Sequence, residues 1–271
     1  MNFLIGYKGF ALWERWNEEM KRRVVGIIPA RMGSTRLPGK PLMLIEGRPL
    51  IQWVYEAAVD SGACDLVLVA TDAEEIRQTV VGFGGNAELT SPAHPTGTDR
   101  LAEVAVKLRA EVILNIQGDE PFISQQTLRD LAREMKDDDK LLMATVATPI
   151  NKADAEDPNI VKVVLDKDYN ALYFSRALIP YMRNRDCNPS PVEYFKHIGL
   201  YAYRRDFLLK YQSLPRSPLE IAESLEQLRA LYNGVRIKVI FTEEETIGVD
   251  TPADLAAARE LARHKGNERG E

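Results

Sequence analysis

An open α/β fold is what this sequence predicts: a Rossmann-like, mostly parallel sheet with flanking helices and a strand-rich insertion. Three observations point there. Short apolar runs bounded by turn residues alternate with helical patterns through the first half of the chain and again at its end. Those runs are continuously apolar, as in strands buried on both faces. In the middle of the chain, strand-like segments follow one another with no helical pattern between them.

Taken in order, "VVGII" (24–28), "LVLVAT" (66–71) and "VILNI" (112–116) are the predicted parallel strands. Between the first two, "PLIQWVYEAAVDSG" opens on Pro49 and closes at Gly62, punctuation that suits a helix. "AEEIRQTVVGFG" and "TDRLAEVAVKLRA" predict two more helices. In the middle, "LLMATVATPI", "NIVKVVLDKDYNALYFSR" and "YFKHIGLYAYRR" read as strands, with D-K-D-Y-N as a hairpin turn. "NRDCNPSPVE" is a polar, proline-containing loop. Helical pattern returns in "SPLEIAESLEQLRALYNG", followed by the strand "VRIKVIF" and the helix "TPADLAAARELARHK".

No repeat or low-complexity linker divides the chain. Residues 20–265 are therefore expected to form one domain, with an insertion over about 150–205 and a disordered tail at 266–271. Residues 1–19 stand apart. Leu12, Trp13 and Trp16 would share a helix face, while Met20 offers an alternative start that makes the segment an upstream extension.

The 271 residues are 45% hydrophobic and 28% charged, ordinary for a globular chain that buries a real core. A net charge of −5 without a long basic tract argues against non-specific nucleic-acid binding. No apolar run approaches the roughly 20 residues of a membrane-spanning helix. The N-terminal segment, broken by Lys8 and lacking a small-residue cleavage site, does not read as a signal peptide. Cys64 and Cys187 match no metal spacing and suggest reduced thiols.

The most informative stretch is "IIPARMGSTRLPGKP" (27–41). It is not a Walker A loop: five residues separate Gly33 from Gly39, and Pro41 stands where a magnesium-binding hydroxyl belongs. Nor is there a G-x-G-x-x-G dinucleotide fingerprint. Yet it follows the first strand, at the carboxyl edge where open α/β sheets bind ligands. Ser34 and Thr35 offer hydroxyls, and Arg31, Arg36 and Lys40 offer positive charge, as a triphosphate cradle needs. A solvated basic loop is the plainer alternative.

"PARMGSTRLPGKPL", "VATD", "HPTGTDR", "NIQGDEP", "YFSRALIP", "KHIGLYAYRR", "LEQLR" and "GVDTPADL" occur in that order from Val24 onward. Together they resemble the 3-deoxy-manno-octulosonate (Kdo) cytidylyltransferases, a family of sugar nucleotidyltransferases; the first 19 residues fall outside the match. The resemblance implies the nucleotide-diphospho-sugar transferase fold and a reaction between CTP and Kdo that yields CMP-Kdo and pyrophosphate. It also implies a magnesium ion, a cytoplasmic enzyme of lipopolysaccharide assembly, and a homodimer formed through the strand-rich middle. Neither nucleic acid nor membrane is an expected partner.

Residue by residue, the resemblance carries Arg31 and Lys40 over as triphosphate ligands assisted by Ser34 and Arg36. Asp119, at a strand end in "NIQGDEP", and Asp250 in "GVDTPADL" become the metal carboxylates, a hard-oxygen pair that suits magnesium. A bare helix-capping role for Asp250 stays open. His94, Thr96 and Gly97 are expected to line the pyrimidine and ribose. Arg100 would approach the sugar acid or sit exposed on the next helix. Gln117 would bridge the nucleotide and sugar sides. Arg176 would take the sugar carboxylate or a salt bridge within the protein. His197 and Tyr201, four apart, share a face if they lie on a strand. Glu226 and Gln227 match sugar contacts, or form a solvated helix face.

Three other readings remain at this point. One is a cytidylyltransferase for 8-amino-Kdo or sialic acid. A second is a non-catalytic nucleotide-binding regulator, against which the presence of Arg31, Lys40, Asp119 and Asp250 counts. The third, a dehydrogenase, is disfavoured by the missing glycine fingerprint.

Overall fold

The computed structural model describes residues 24–33, 37–94, 96–183, 193–244 and 248–268. Two compact units emerge. Met1–Arg129 with Thr246–Glu271 form the first, and Asp130–Glu245 form the second. The expected insertion over 150–205 falls inside the second unit, while the expected N-terminal extension 1–19 lies outside the described residues.

The first unit is built on four parallel strands in the order β6–β1–β4–β5: β1 (Val24–Ala30), β4 (Leu66–Thr71), β5 (Ala87–Leu89) and β6 (Val112–Asn115). β1 and β4 are apolar and buried almost throughout, the composition expected of strands covered on both faces. A small hairpin, β2 (Leu44–Ile45) and β3 (Arg48–Pro49), leads into α1 (Leu50–Asp60). Leu50, Ile51, Val54, Tyr55 and Ala58 form its buried stripe. α2 (Glu74–Gly82) follows β4, with Glu74 and Glu75 in its first turn, where negative charge suits the helix dipole. α3 (Gly97–Val106) precedes β6.

The chain passes from the first unit to the second along α4 (Gln125–Asp137), an element the sequence reading left unassigned. Leu128, Leu131, Ala132 and Met135 are buried along it at helical spacing. In the second unit, β7 (Met143–Ile150) pairs antiparallel with β10 (Tyr194–Arg204) and parallel with β11 (Ile237–Phe241). β8 (Lys162–Leu165) joins the other side of β10, and β9 (Ala171–Ser175) pairs antiparallel with β8. The hairpin predicted at D-K-D-Y-N is present. Asp166 and Asn170 close it, with the Asp166 carboxylate accepting from the Asp168 and Asn170 amides.

Helices α5 (Lys152–Glu156), α6 (Arg205–Tyr211), α7 (Pro218–Glu223) and α8 (Gln227–Tyr232) complete this unit. The single helical pattern read from 217 to 234 is therefore two helices, split at Ser224, which adopts left-handed geometry with φ 54°. α9 (Pro252–Glu268) belongs to the first unit. It extends into the stretch expected to be a disordered tail, of which 269–271 lie outside the described residues.

Candidate active site

The basic stretch leaves β1 at Ala30, and Arg31 follows directly, exposed. Ser34 and Arg36 lie outside the described residues. The loop closes on itself where the Gly39 amide donates to the Met32 carbonyl at 3.2 Å. Gly39 has φ 70°, a conformation that glycine adopts without the Cβ penalty of other residues. It ends the loop and starts a 3-10 turn at Lys40–Leu42, with Pro41 early in that turn, where no amide donor is missed.

The Lys40 ammonium donates to Asp119 Oδ2 at 2.7 Å and to Asp250 Oδ1 at 3.0 Å. Three residues far apart in sequence thus meet around one cation. The Val249 amide donates to the Asp119 carbonyl at 2.9 Å, a backbone link that holds the two aspartate-bearing segments side by side. Burial would lower the Lys40 pKa. The Asp119 charge and the hydrogen bonds that Lys40 donates to both carboxylates outweigh it and raise the pKa above the usual lysine value.

The capping alternative for Asp250 is overturned. Thr251 takes that position, its Oγ1 accepting from the Asp254 amide at 3.2 Å, while the Asp254 carboxylate accepts from the amides of Asp250 and Thr251. Pro252 opens the helix behind this cap. The Asp250 side chain is left to face Lys40.

Gly118 precedes Asp119, and a Cβ there would fall 2.8 Å from the Pro29 carbonyl oxygen and 3.4 Å from Ile28. The close approach that requires glycine at this point is thus to β1 of the chain itself. Gln117 sits half-buried between β6 and this turn.

The "HPTGTDR" segment is tied down by side chains. His94 Nε2 pairs with Glu103 Oε2 at 2.5 Å, and the same oxygen accepts from the Ser91 amide at 2.9 Å. Thr96 caps α3, accepting from the Asp99 amide at 3.2 Å, and Gly97 begins the helix against Pro29. Arg100 corrects one expectation. It is not an exposed helix arginine but only 2% exposed, its fork donating to Asp72 Oδ2 at 2.8 Å and to Thr90 Oγ1.

The second unit holds the remaining candidates. His197 and Tyr201 do share a face of β10, their rings 5.3 Å apart. The strand bulges between Ile198 and Tyr201, but the bulge adds two residues relative to β7 and so keeps the side-chain parity. Thr145 Oγ1 donates to the Leu200 carbonyl at 2.8 Å, which leaves its lone pair to accept from His197 Nε2 at 2.9 Å. Burial pulls the His197 pKa down to about 3, so the imidazole is neutral, and burial likewise pushes the Tyr201 phenol well above its usual value.

Arg176 forms no ion pair among the described residues, so the salt bridge offered as its alternative role is not seen. Its guanidinium reaches the carbonyls of Glu223 and Pro158, while its amide donates to the Glu223 carboxylate at 3.0 Å. Gln227 does not lie on a solvated helix face, while Glu226, at the cap position just before it, is half-buried. Gln227 opens α8 at 4% exposure, and its Nε2 has no partner among the described residues. Leaving such a buried donor unmade costs about 1–3 kcal/mol, which a ligand oxygen would recover.

Several residues of these clusters escaped the sequence reading: Asp72, Thr90 and Glu103 in the first unit, and Tyr211, Glu220, Glu223 and Arg229 in the second. Asp72 and Arg229 do lie within the motifs "VATD" and "LEQLR", which is the one signal that could have marked them.

A cytidylyltransferase family model matches residues 25–237. A 3-deoxy-manno-octulosonate cytidylyltransferase of Pelobacter propionicus is 48% identical over 248 residues, covering 89% of this chain and 97% of its own. The protein of that name from Escherichia coli is 47% identical over 239 residues, covering 88% and 96%. A solved structure described as a CMP:2-keto-3-deoxy-manno-octonic acid synthetase complexed with CTP superposes with a TM-score of 0.86 at 47% identity, over 90% of this chain and 99% of that one. A 4-diphosphocytidyl-2C-methyl-D-erythritol synthase from Anaerococcus prevotii, 16% identical with a TM-score of 0.61, covers 89% of this chain and 99% of its own and shares the fold alone. This chain belongs to the 3-deoxy-manno-octulosonate cytidylyltransferases, within the cytidylyltransferase family.

Proposed function

We propose that this chain transfers the cytidylyl group of CTP to Kdo, as the names of its relatives indicate, releasing pyrophosphate and supplying CMP-Kdo to lipopolysaccharide assembly. The observation that carries the reading is the convergence of Asp119 and Asp250 on one cation, the Lys40 ammonium. Two hard carboxylate oxygens able to share a cation fit magnesium, which is usually held by one or two carboxylates together with phosphate oxygens and water. In this reading Asp119 and Asp250 hold the ion. When bound, magnesium would offset the charge of the triphosphate.

The chain's own residues then do the positioning. Lys40 and Arg31, with Ser34 and Arg36, meet the phosphates, and Lys40 neutralises charge on the departing pyrophosphate. The anomeric hydroxyl oxygen of the sugar bonds to the α-phosphorus, its proton passing to solvent, as the bond from that phosphorus to the bridging β-phosphate oxygen breaks. His94, Thr96 and Gly97 form the nucleoside-facing loop. Gln117, His197, Tyr201, Glu226 and Gln227 serve the acid sugar, the neutral His197 acting as a hydrogen-bonding group and not as a cation.

A homodimer and a cytoplasmic location complete the proposal. The location is supported by the CTP substrate and agrees with the absence, among the described residues, of any helix long and apolar enough to cross a membrane. Sedimentation would test the dimer.

The central test is pyrophosphate release with CTP and magnesium, offering Kdo, its 8-amino analogue and sialic acid separately to the wild type and Asp119→Ala. Release with Kdo that collapses in the variant is expected. Release with another acid alone would overturn the sugar, and CTP binding without release from any acid would point to a regulator.

A further inference from the structure

We propose that the buried Arg229–Glu220 ion pair, acting through Tyr211, is the device that positions Glu226 and Gln227 toward the acid sugar. The inference rests on the reading of those two residues as sugar contacts and adds what sets their place. Arg229 is 7% exposed and Glu220 2%. They meet in a two-pronged contact, Arg229 Nε to Glu220 Oε2 at 2.8 Å and Nη2 to Oε1 at 2.5 Å. Taking such a pair out of water gains little over an apolar pair of similar volume, so stability alone does not explain it. Its geometry does something an apolar pair could not.

Glu220 is anchored first. It completes the capping box of α7, accepting from the Ser217 amide while its own amide donates to Ser217 Oγ at 3.0 Å. A carboxylate fixed to one helix start thereby fixes the guanidinium, whose planar fork admits few orientations. The guanidinium lies over the Tyr211 ring at 5.1 Å. Tyr211 in turn donates its hydroxyl to the Glu226 carbonyl at 2.5 Å. The chain of contacts runs Ser217, Glu220, Arg229, Tyr211, Glu226, and it ends on the residue before Gln227.

What it encloses is the sharp corner between α7 and α8. Ser224 holds φ 54° and ψ 45° there, a strained choice for a residue with a side chain. Gln227 stands just past this corner with its Nε2 buried and without a partner among the described residues. A buried, unpaired amide donor must be aimed to be useful, because a small shift replaces a hydrogen bond by an unmet desolvation cost. The brace supplies that aim.

Steady-state kinetics and melting of Tyr211→Phe, Arg229→Lys and Gln227→Ala would test this. Tyr211→Phe keeps the ring under the guanidinium and removes only the hydroxyl bond. Arg229→Lys keeps the charge and removes the fork. Both are expected to raise KM for Kdo about tenfold while leaving KM for CTP within about twofold. Gln227→Ala is expected to raise KM for Kdo as well. If Gln227→Ala raises it but neither of the others does, the brace is overturned and the sugar contact stands. If Gln227→Ala leaves KM for Kdo unchanged, the sugar-contact reading falls and the brace falls with it. Equal rises in both KM values, tracking the melting temperature, would reduce the pair to a structural role and overturn the inference.

Discussion

The polar cluster around Lys40 in the first unit and the one around His197 in the second respond to burial in opposite ways. In the first, Lys40 is partly buried, yet its two carboxylate partners hold it more firmly charged than a free lysine. In the second, no opposite charge among the described residues offsets the burial of His197 and Tyr201, so both are kept neutral. The same desolvation term acts in both places, and the presence or absence of opposite charge within hydrogen-bonding distance decides the outcome. In the proposed reading the first cluster meets a triphosphate, which needs charge that survives burial. In the same reading the second cluster meets sugar hydroxyls, which need oriented neutral donors and acceptors, and a charged imidazole there would have to be desolvated at a cost.

The comparison breaks most visibly at Asp119. If the first unit works by charge, Asp119→Asn, nearly unchanged in shape, should lower kcat/KM by on the order of 10³-fold with little change in melting. Retention of more than a tenth of the activity would mean that the carboxylate is structural. Lys40→Met comes next, with an expected loss on the order of 10²-fold and weaker CTP binding by calorimetry. Because the Lys40 pKa is raised above 10.5, the stability its ion contacts contribute is fully present below that pH. It is lost only as pH climbs through the raised value, so no lysine titration should enter the pH–rate profile near neutrality.

The second unit yields a smaller and differently signed effect. The unfolded chain binds a proton at His197 below about 6.5, whereas the folded chain declines it until about 3. Stability is therefore full above the unfolded value and falls as pH drops through that window. Between pH 7 and pH 5 this single group should account for roughly 2 kcal/mol of lost stability. Urea unfolding of His197→Gln across that range should show a shallower acid loss than wild type. Parallel curves would mean that the imidazole can be protonated in the folded protein, and the contrast between the units would lose its basis.

Much of the first unit was legible because its signals are local. "LVLVAT" is β4 residue for residue, and the strand-end setting of Asp119 could be read from an apolar run followed by Gly118. What the residues alone could not give was the meeting of Lys40, Asp119 and Asp250, which depends on tertiary closure; the family resemblance paired the two aspartates at a metal but placed Lys40 on the phosphates. The missed features divide by cause. The spacing of Leu128, Leu131, Ala132 and Met135 did mark α4, so that helix was readable and passed over. The break at Ser224 was not, since no glycine or proline announces it. Arg100 shows a third kind of limit. Its partners Asp72 and Thr90 lie on other segments, and no periodicity within one helix distinguishes a buried arginine from a solvated one.

The smallest predicted effect separates two roles within the first unit itself. Thr96 was carried over as part of the nucleoside loop, but its hydroxyl is occupied locally. It accepts from the Asp99 amide at 3.2 Å and donates to Asp99 Oδ2 at 2.9 Å. An N-cap of this kind contributes about 1 kcal/mol, and its loss should lower the melting temperature by a few degrees. Thr96→Ala should show that drop, and Thr96→Ser, which keeps the oxygen, should largely restore it. If the cap is the whole role, KM for CTP follows stability and moves less than about threefold in Thr96→Ala. A rise beyond tenfold without a matching loss of melting temperature would make the hydroxyl a ligand group that exchanges Asp99 for the nucleotide. Charge at Lys40 would then share the work of nucleotide recognition with a neutral hydroxyl, and the division of labour between the two units would be less clean than their pKa values suggest.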